Sequence, residues 1–472
     1  MKPSITNTLS RKKEELIPSE AAFKMYCCGP TVYGPAHIGN FRTFLTQDVL
    51  RRTLECAGME VLHVRNITDV DDKTIRESQK LGLSLSEFTR KWEDKFHADC
   101  AKLNMLPPSV EPRATEHISE QLSMVEKLVD TGHAYATKDG SVYFKISTFE
   151  NYGRLANLDR EHMATQMTNS AGEANNADEY ERESVADFAL WKGRKPEDGD
   201  NFWKSPWGEG RPGWHIECSA MSRKYLGDTF DLHGGGIDLC FPHHENEIAQ
   251  SECATGASPY VRYWFHSAHL MVEGEKMSKS LGNLFTLDDL LKKGYTPQQI
   301  RYALISGHYR QQLNFTFKSL DDAKSALSKL RKGVSSALKE AGMSEEEFNK
   351  LIKPGTEFAG TIFEGAWNAI CDDLNVPRAL GEIFAALGKF GGKTADIKAL
   401  GSMLYAFGLD IFADNSEKAE EIPAEISDMA RRRWEAKQAR NFALADELRK
   451  SIADAGWTVF DSKDGFDIKK SQ

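Results

Sequence analysis

Two short segments far apart in the chain carry complementary chemistry: Cys28-Gly29-Pro30-Thr31-Val32-Tyr33, running into His37-Ile38-Gly39-Asn40, and Lys276-Met277-Ser278-Lys279-Ser280. The first follows an apolar run and sets a histidine at the start of a predicted helix, where backbone N–H groups and the helix dipole attract phosphate. The second sets Lys276 and Lys279 on a glycine-bounded loop. A reaction that expels pyrophosphate from ATP needs both a fixed cradle and mobile positive charge. His37 can donate to the α- and β-phosphates, while Asn40 can donate without carrying charge. Two lysines alone read equally as a solvated turn. The run Gly234-Gly235-Gly236-Ile237-Asp238 permits the close backbone approach that adenine and ribose require, although a glycine run alone also marks an ordinary loop.

Cys218, His243 and Glu247 form a candidate metal set. His243 and Glu247 are four apart in a segment of helical pattern, 242–254, which puts both on one face. A thiolate, an imidazole and a carboxylate suit zinc, and Cys28 supplies a fourth ligand if the fold brings it near. His244 and Glu245 are equally available by composition, and a helix that merely begins with polar residues is the competing reading. Near the end of the chain, Arg431-Arg432-Arg433-Trp434, Lys437, Arg440, Phe442 and Asp446 make a basic stripe interleaved with aromatics, suited to following an RNA backbone and stacking an unpaired base. The same stripe also reads as a solvated helix face.

His37-Ile38-Gly39-Asn40 and the Lys276–Ser280 pentapeptide resemble the paired signature of class I aminoacyl-tRNA synthetases. Asn66-Ile67-Thr68-Asp69-Val70-Asp71-Asp72-Lys73, the stretch Gly210–Met221, and His233-Gly234-Gly235-Gly236 through Phe241-Pro242-His243-His244-Glu245-Asn246-Glu247 are similar to motifs of the cysteinyl-tRNA synthetase family. The resemblance implies cysteine:tRNA ligation: activation of L-cysteine by ATP, with Mg²⁺, to an adenylate, then transfer to the 3′-terminal ribose of tRNA(Cys). It implies zinc ligands at Cys28, Cys218, His243 and Glu247, one ion per subunit. It implies cysteine contacts from Gly29, Thr68, Trp214 and His233, and ATP contacts from His37, Gly39, Asn40, Gly235, Asp238 and Lys279. Catalytic roles fall to His37, Asn40, Lys276 and Lys279, and tRNA contacts to Arg433, Lys437, Phe442 and Asp446. Zinc would answer a recognition problem, because a steric pocket separates near-isosteres by only about a hundredfold and a metal that prefers sulfur does better. A relative that ligates cysteine to an amino sugar lacks the residues beyond about 320, and a silent RNA-binding paralogue tends to lose one of these motifs.

Bulk properties bound the partners. A net charge of -10 excludes indiscriminate nucleic-acid binding while permitting local basic patches. With 40% hydrophobic and 28% charged residues, no apolar stretch of about 20 residues and no signal-peptide core, a cytoplasmic protein is expected, and the resemblance to the family implies a monomer. The eight cysteines are scattered, and reduced thiols are the default.

The elements that must position these groups alternate as strand and helix. The segment 22–28 reads as a strand, 41–56 as a helix and 61–67 as a strand, and Ser84 with Glu87 forms a capping box for a helix to about Leu103. The expected architecture is α/β: a Rossmann-like doubly wound parallel sheet with an inserted connective domain, then a helical bundle and a small C-terminal α/β module. The expected boundaries are 1–116 and 205–268 for the two catalytic halves, 117–204 for the insertion, 269–318 for the Lys276–Ser280 region, 319–415 for the bundle and 424–472 for the module. Within the insertion, 167–176 is polar and reads as a flexible loop, and 416–423 reads as a charged linker. Bundle helices are expected at 319–340, 345–353, 363–371 and 378–390, and one helix with a strand hairpin in the last fifty or so residues.

Overall fold

In strand Ala22–Cys27, Phe23, Met25, Tyr26 and Cys27 are all fully buried, so both faces of its second half are covered. That burial suits the interior of a parallel sheet. The strand pairs in parallel with Glu60–Arg65, Cys27 opposite Arg65, and with Phe230–Gly236, Gly234 opposite Cys27. Phe230–Gly236 pairs in parallel with Val261–Ser267. The sheet order is therefore Val261–Ser267, Phe230–Gly236, Ala22–Cys27, Glu60–Arg65, and the winding reverses between the two inner strands. At such a switch point the crossovers leave on opposite sides, opening a crevice at the strands' carboxyl ends. Cys28 and the run Gly234–Gly236 stand there.

The computed structural model describes residues 1–158, 187–278, 281–413, 423–439, 441–461 and 465–470. Lys279, Ser280, Arg440, the loop 167–176 and nearly all of the linker 416–423 lie outside the described residues. The chain divides into two compact units, Met1–Ile411 and Phe412–Gln472.

In the first unit, helix Ile38–Cys56 starts at a reciprocal cap: His37 Nδ1 accepts the Asn40 N–H at 3.3 Å and Asn40 Oδ1 accepts the His37 N–H at 3.1 Å. Helix Leu85–Lys102 carries the expected Ser84/Glu87 capping box. The insertion is a five-stranded antiparallel sheet in the order Ala134–Ala136, Val142–Phe144, Phe188–Gly193, Gly208–Pro212, Trp203–Ser205. It extends beyond 204 to Pro212, whose strand runs directly into helix Trp214–Leu226. Helices Phe317–Ala341, Glu345–Asn349, Glu364–Cys371 and Val376–Leu387 match the expected bundle to within a few residues. A further helix, Thr394–Phe407, was not expected. Ile397, Ala399, Leu400, Gly401, Met403, Leu404, Ala406 and Phe407 are all buried, so its sequence has no polar stripe to mark a period. A hairpin of two three-residue strands, Ser4–Thr6 and Lys13–Glu15, is likewise too short for alternation to reveal.

A buried ion-pair group fixes helix Ile38–Cys56 from its middle. Asp48 Oδ2 accepts from Arg52 at 2.9 Å and from Arg301 at 2.5 Å, and Arg301 also donates to the Leu103 and Phe407 carbonyls. All three charged side chains are at least 96% buried, and a charge placed so is tolerated only when paired and fully hydrogen-bonded.

The second unit holds two helices, Ala424–Gln438 and Phe442–Asp454, and an antiparallel hairpin, Trp457–Asp461 with Phe466–Lys470. The single helix expected there is corrected to two. Asn441 starts the second, its side chain accepting the Leu444 N–H at 3.3 Å. Ile426, Ala430, Ile452, Trp457 and Val459 form its core.

Candidate active site

Cys28 ends the first strand of the sheet, and its N–H donates to the Gly234 carbonyl at 3.2 Å. Gly29 follows because nothing larger fits: a Cβ there would lie 1.6 Å from the Asn66 carbonyl oxygen. Cys218 lies on the first turns of helix Trp214–Leu226, and Glu247 on helix Glu245–Thr255. His243 precedes that helix in a wide turn, Cys240–His244, rather than inside a regular helix as the spacing suggested. The four-residue separation still brings the pair together, with His243 Nε2 3.0 Å from Glu247 Oε1.

One ligand atom from each of Cys28, Cys218, His243 and Glu247 lies within 4.8 Å of the others, all buried. The two sulfurs are 4.0 Å apart. Cys28, His233, His244 and Glu247 also satisfy that limit, sharing two members with the first set. Cys28 Sγ is 3.3 Å from His244 Nε2, and His233 Nε2 is 3.0 Å from Glu247 Oε2. The electrostatics favour the anionic forms of Glu247 and Cys218. Burial alone would raise the Glu247 carboxyl, but His233 and His243 hold its pKa at about 2. Burial would depress His243, but Glu247 and Cys218 bring it up to about 10. The hydrogen bond from Cys28 holds the Cys218 thiol at about 6, while burial pushes Cys28 up. Two thiols, an imidazole and a carboxylate, all buried and with ligand atoms converging within 4.8 Å, fit a zinc ion.

Several supporting groups went unnamed at the level of sequence. His215 Nδ1 meets His243 Nδ1 at 2.9 Å, and the Tyr260 hydroxyl meets Glu247 Oε2 at 3.2 Å. His244 Nδ1 lies 2.8 Å from His266 Nε2, and the His233 ring stacks on Trp264 at 4.9 Å. Burial, and then neighbouring histidines, depress His215 and His244, which stay neutral. His215 is legible in the Trp214–Met221 motif; His266 and Tyr260 carry no local signal and are gathered only by the sheet and its return helix.

The residues read as cysteine contacts surround this cluster. Trp214 is 42% exposed and its ring lies 4.4 Å from that of His243, one side toward the cluster and the other toward solvent. Thr68, His233 and the neighbour Asn66 are buried, and Gly29 N donates to Asn66 Oδ1 at 2.9 Å.

The two phosphate signatures also meet. A Cβ on Gly39 would lie 3.0 Å from the His37 ring and 3.2 Å from Met277 Cε, so the lysine loop approaches the start of helix Ile38–Cys56. The Ile38 N–H donates to the Phe285 carbonyl at 2.9 Å, tying the segment after that loop to the same helix end. Lys276 is exposed at the end of a two-residue strand, and Ser278 N donates to Asn283 Oδ1 at 2.9 Å. Burial lowers the His37 pKa, with Asp238 opposing, which keeps a neutral donor there. Gly235 sits where a Cβ would come 2.8 Å from the His244 ring, and Asp238 is exposed nearby.

In the second unit Phe442 is 60% exposed and Asp446 is exposed, while Lys437 is half-buried. Arg433 departs from the expectation of a contact surface: it is only 4% exposed. Arg431 is engaged on its own helix by Glu435 at 2.7 Å and Asp428 at 2.5 Å.

This arrangement is that of a class I aminoacyl-tRNA synthetase. The domain profile described as tRNA synthetases class I (C) catalytic domain matches residues 16–325. Mycobacterium tuberculosis methionyl-tRNA synthetase in complex with methionyl-adenylate shares the fold at a TM-score of 0.56 and 14% identity, covering 82% of this chain and 89% of that one. A LeuRS–tRNA–LeuAMS ternary complex from Agrobacterium radiobacter K84 aligns at 0.56 and 12% identity, covering 83% and 84%. Within that class the chain belongs to the cysteine–tRNA ligase family. It is 51% identical over 470 residues to the Cysteine--tRNA ligase of Opitutus terrae, covering 99% of this chain and 98% of that protein. It is 43% identical over 479 residues to that of Brachyspira hyodysenteriae, covering 98% of each.

Proposed function

We propose that the chain joins L-cysteine to tRNA(Cys) in two steps: the cysteine carboxylate attacks the α-phosphate of ATP and expels pyrophosphate, then the cysteinyl group passes to the terminal ribose. The observation that carries this reading is the buried Cys28, Cys218, His243, Glu247 cluster at the switch point, with Trp214 against it. Zinc held by those four side chains supplies a Lewis acid that prefers a sulfur over a hydroxyl, which distinguishes cysteine from serine. Gly29, Thr68, Trp214 and His233 bind the rest of the amino acid. His37, neutral and at a helix start, and Asn40 donate to the phosphates, with Gly39, Gly235 and Asp238 shaping the nucleotide site. Lys276 and Lys279 bring positive charge as it is needed, and Mg²⁺ accompanies ATP and the leaving pyrophosphate. The catalytic halves, insertion, bundle and tail module divide the labour, with Lys437, Phe442 and Asp446 of the tail reading tRNA. A cytoplasmic monomer is the state the family resemblance suggests; no helix among the described residues is long and apolar enough to cross a membrane. ATP–pyrophosphate exchange measured with cysteine, with serine and with no amino acid tests the reading. Exchange should depend on cysteine and fall to the blank with serine; equal exchange with both amino acids refutes thiol selection.

A further inference from the structure

Against the metal cluster lies a buried run of polar side chains that neither the ligand set nor the phosphate signatures use. Asn66, Thr68 and Glu217 are 1%, 3% and 1% exposed. Asn66 Oδ1 accepts the Gly29 N–H at 2.9 Å and lies 3.8 Å from Cys218 Sγ, so the run begins at one of the candidate ligands. Asn66 Nδ2 donates to Thr68 Oγ1 at 3.1 Å, and the Thr68 hydroxyl donates to Glu217 Oε2 at 2.9 Å. The other carboxylate oxygen, Glu217 Oε1, has no hydrogen-bond partner among the described residues.

A hydroxyl offers one donor and two acceptor sites. The Thr68 proton is committed to Glu217 and one lone pair to Asn66, so what remains at Thr68 is a single lone pair. Buried acceptors of this kind are satisfied only by a partner that donates. In an amino acid held by its sulfur at the adjacent cluster, two carbons separate that sulfur from the α-ammonium, which is a group of donors alone.

We infer that Glu217 is a positioning residue for the α-ammonium of the amino acid: it locks the Thr68 hydroxyl so that a lone pair, not a proton, faces the ligand. The pocket then selects thiols that carry an adjacent ammonium over thiols that do not. This rests on the reading that the chain activates cysteine. A merely structural Glu217 would pin the Thr68 loop and weaken every ligand alike.

The test pairs Glu217→Gln with two competitors of cysteine-dependent pyrophosphate exchange. Cysteamine keeps the thiol and ammonium, and 3-mercaptopropionate keeps the thiol and carboxylate. Glu217→Gln should raise the KM for cysteine and the Ki for cysteamine by about tenfold or more, as loss of a hydrogen bond to a charged group does. The Ki for 3-mercaptopropionate should stay within about twofold, and zinc content should be unchanged. Thr68→Val, which removes the hydroxyl and keeps the shape, should give the same split and decides the matter if Glu217→Gln fails to fold. Equal weakening of all three ligands, loss of zinc, or no change at all would overturn the inference. Wild-type protein without cysteine-dependent exchange would instead refute the functional reading, a failure visible before any substitution.

Discussion

The two units of the chain hold their chemistry in opposite ways. In Met1–Ile411 the groups that define the site are buried and held by one another: Glu247 alone meets His233, His243 and Tyr260. In Phe412–Gln472 the described core is small, gathered around Ile426, Ala430, Ile452, Trp457 and Val459, and the side chain best suited to stack a base, Phe442, stands 60% exposed. Preorganised polar groups in a dry site act strongly on a small ligand, whereas an exposed aromatic gains its energy when a base covers it. Substitutions in the first unit should therefore disturb metal, chemistry or folding, and those in the second should disturb RNA alone.

The largest effect is expected at the metal cluster. Cys218→Ser should lose zinc and lower cysteine-dependent exchange by more than about a hundredfold, beyond the loss caused by disturbing a contact that only supports a ligand. Cys371→Ser should do neither, since Cys371 is buried in the bundle with its sulfur toward the Met1 carbonyl at 3.6 Å. Metal analysis alongside the exchange assay separates the two; if both variants behaved alike, burial rather than ligation would be the issue.

Next is the buried ion-pair group. Asp48→Asn leaves Arg52 and Arg301 uncompensated and should cost about 3–5 kcal/mol in thermal unfolding at neutral pH. Burial would raise the Asp48 carboxyl, but Arg52 and Arg301 outweigh it and hold its pKa below the ordinary 3.8. A depressed carboxylate contributes fully above its unfolded pKa and loses that contribution as pH falls through the folded value. The gap between wild type and variant should therefore be constant above pH 5 and narrow below about pH 4. A gap that widened in acid would reverse the assigned sign.

The smallest effect is expected in the second unit. Phe442→Ala should lower kcat/KM for tRNA by about fivefold to a hundredfold, the value of one base–aromatic stack. Pyrophosphate exchange should stay at the wild-type rate. Unchanged charging would reduce Phe442 to a solvated residue and remove the second half of the contrast.

Legibility followed the same division. His243 and Glu247 were visible because four-residue spacing survives the wide turn that displaces the helix start. The helix start at His37 and the Ser84/Glu87 box were visible because helix-start signals are local, although the reciprocal cap between His37 and Asn40 was not read. His266 and Tyr260 were not, since only the parallel pairing of Val261–Ser267 and the packing of Glu245–Thr255 bring them to the site. Arg433 looked exposed because a run of three arginines reads as a charged face, yet the helix turns the third one inward. Helix Thr394–Phe407 was hidden by being apolar nearly all round. Spacing records which residues share a face of one element; it does not record which faces meet.

The claim on which the account turns is that the thiol of the amino acid is recognised at the Cys28, Cys218, His243, Glu247 cluster. X-ray absorption at the zinc edge, on the zinc-loaded protein with and without saturating cysteine, tests it most directly. The account predicts two sulfurs from the protein in the free state and a third on adding cysteine, with serine producing no change. A spectrum that cysteine leaves unaltered would contradict it, even with zinc bound in full.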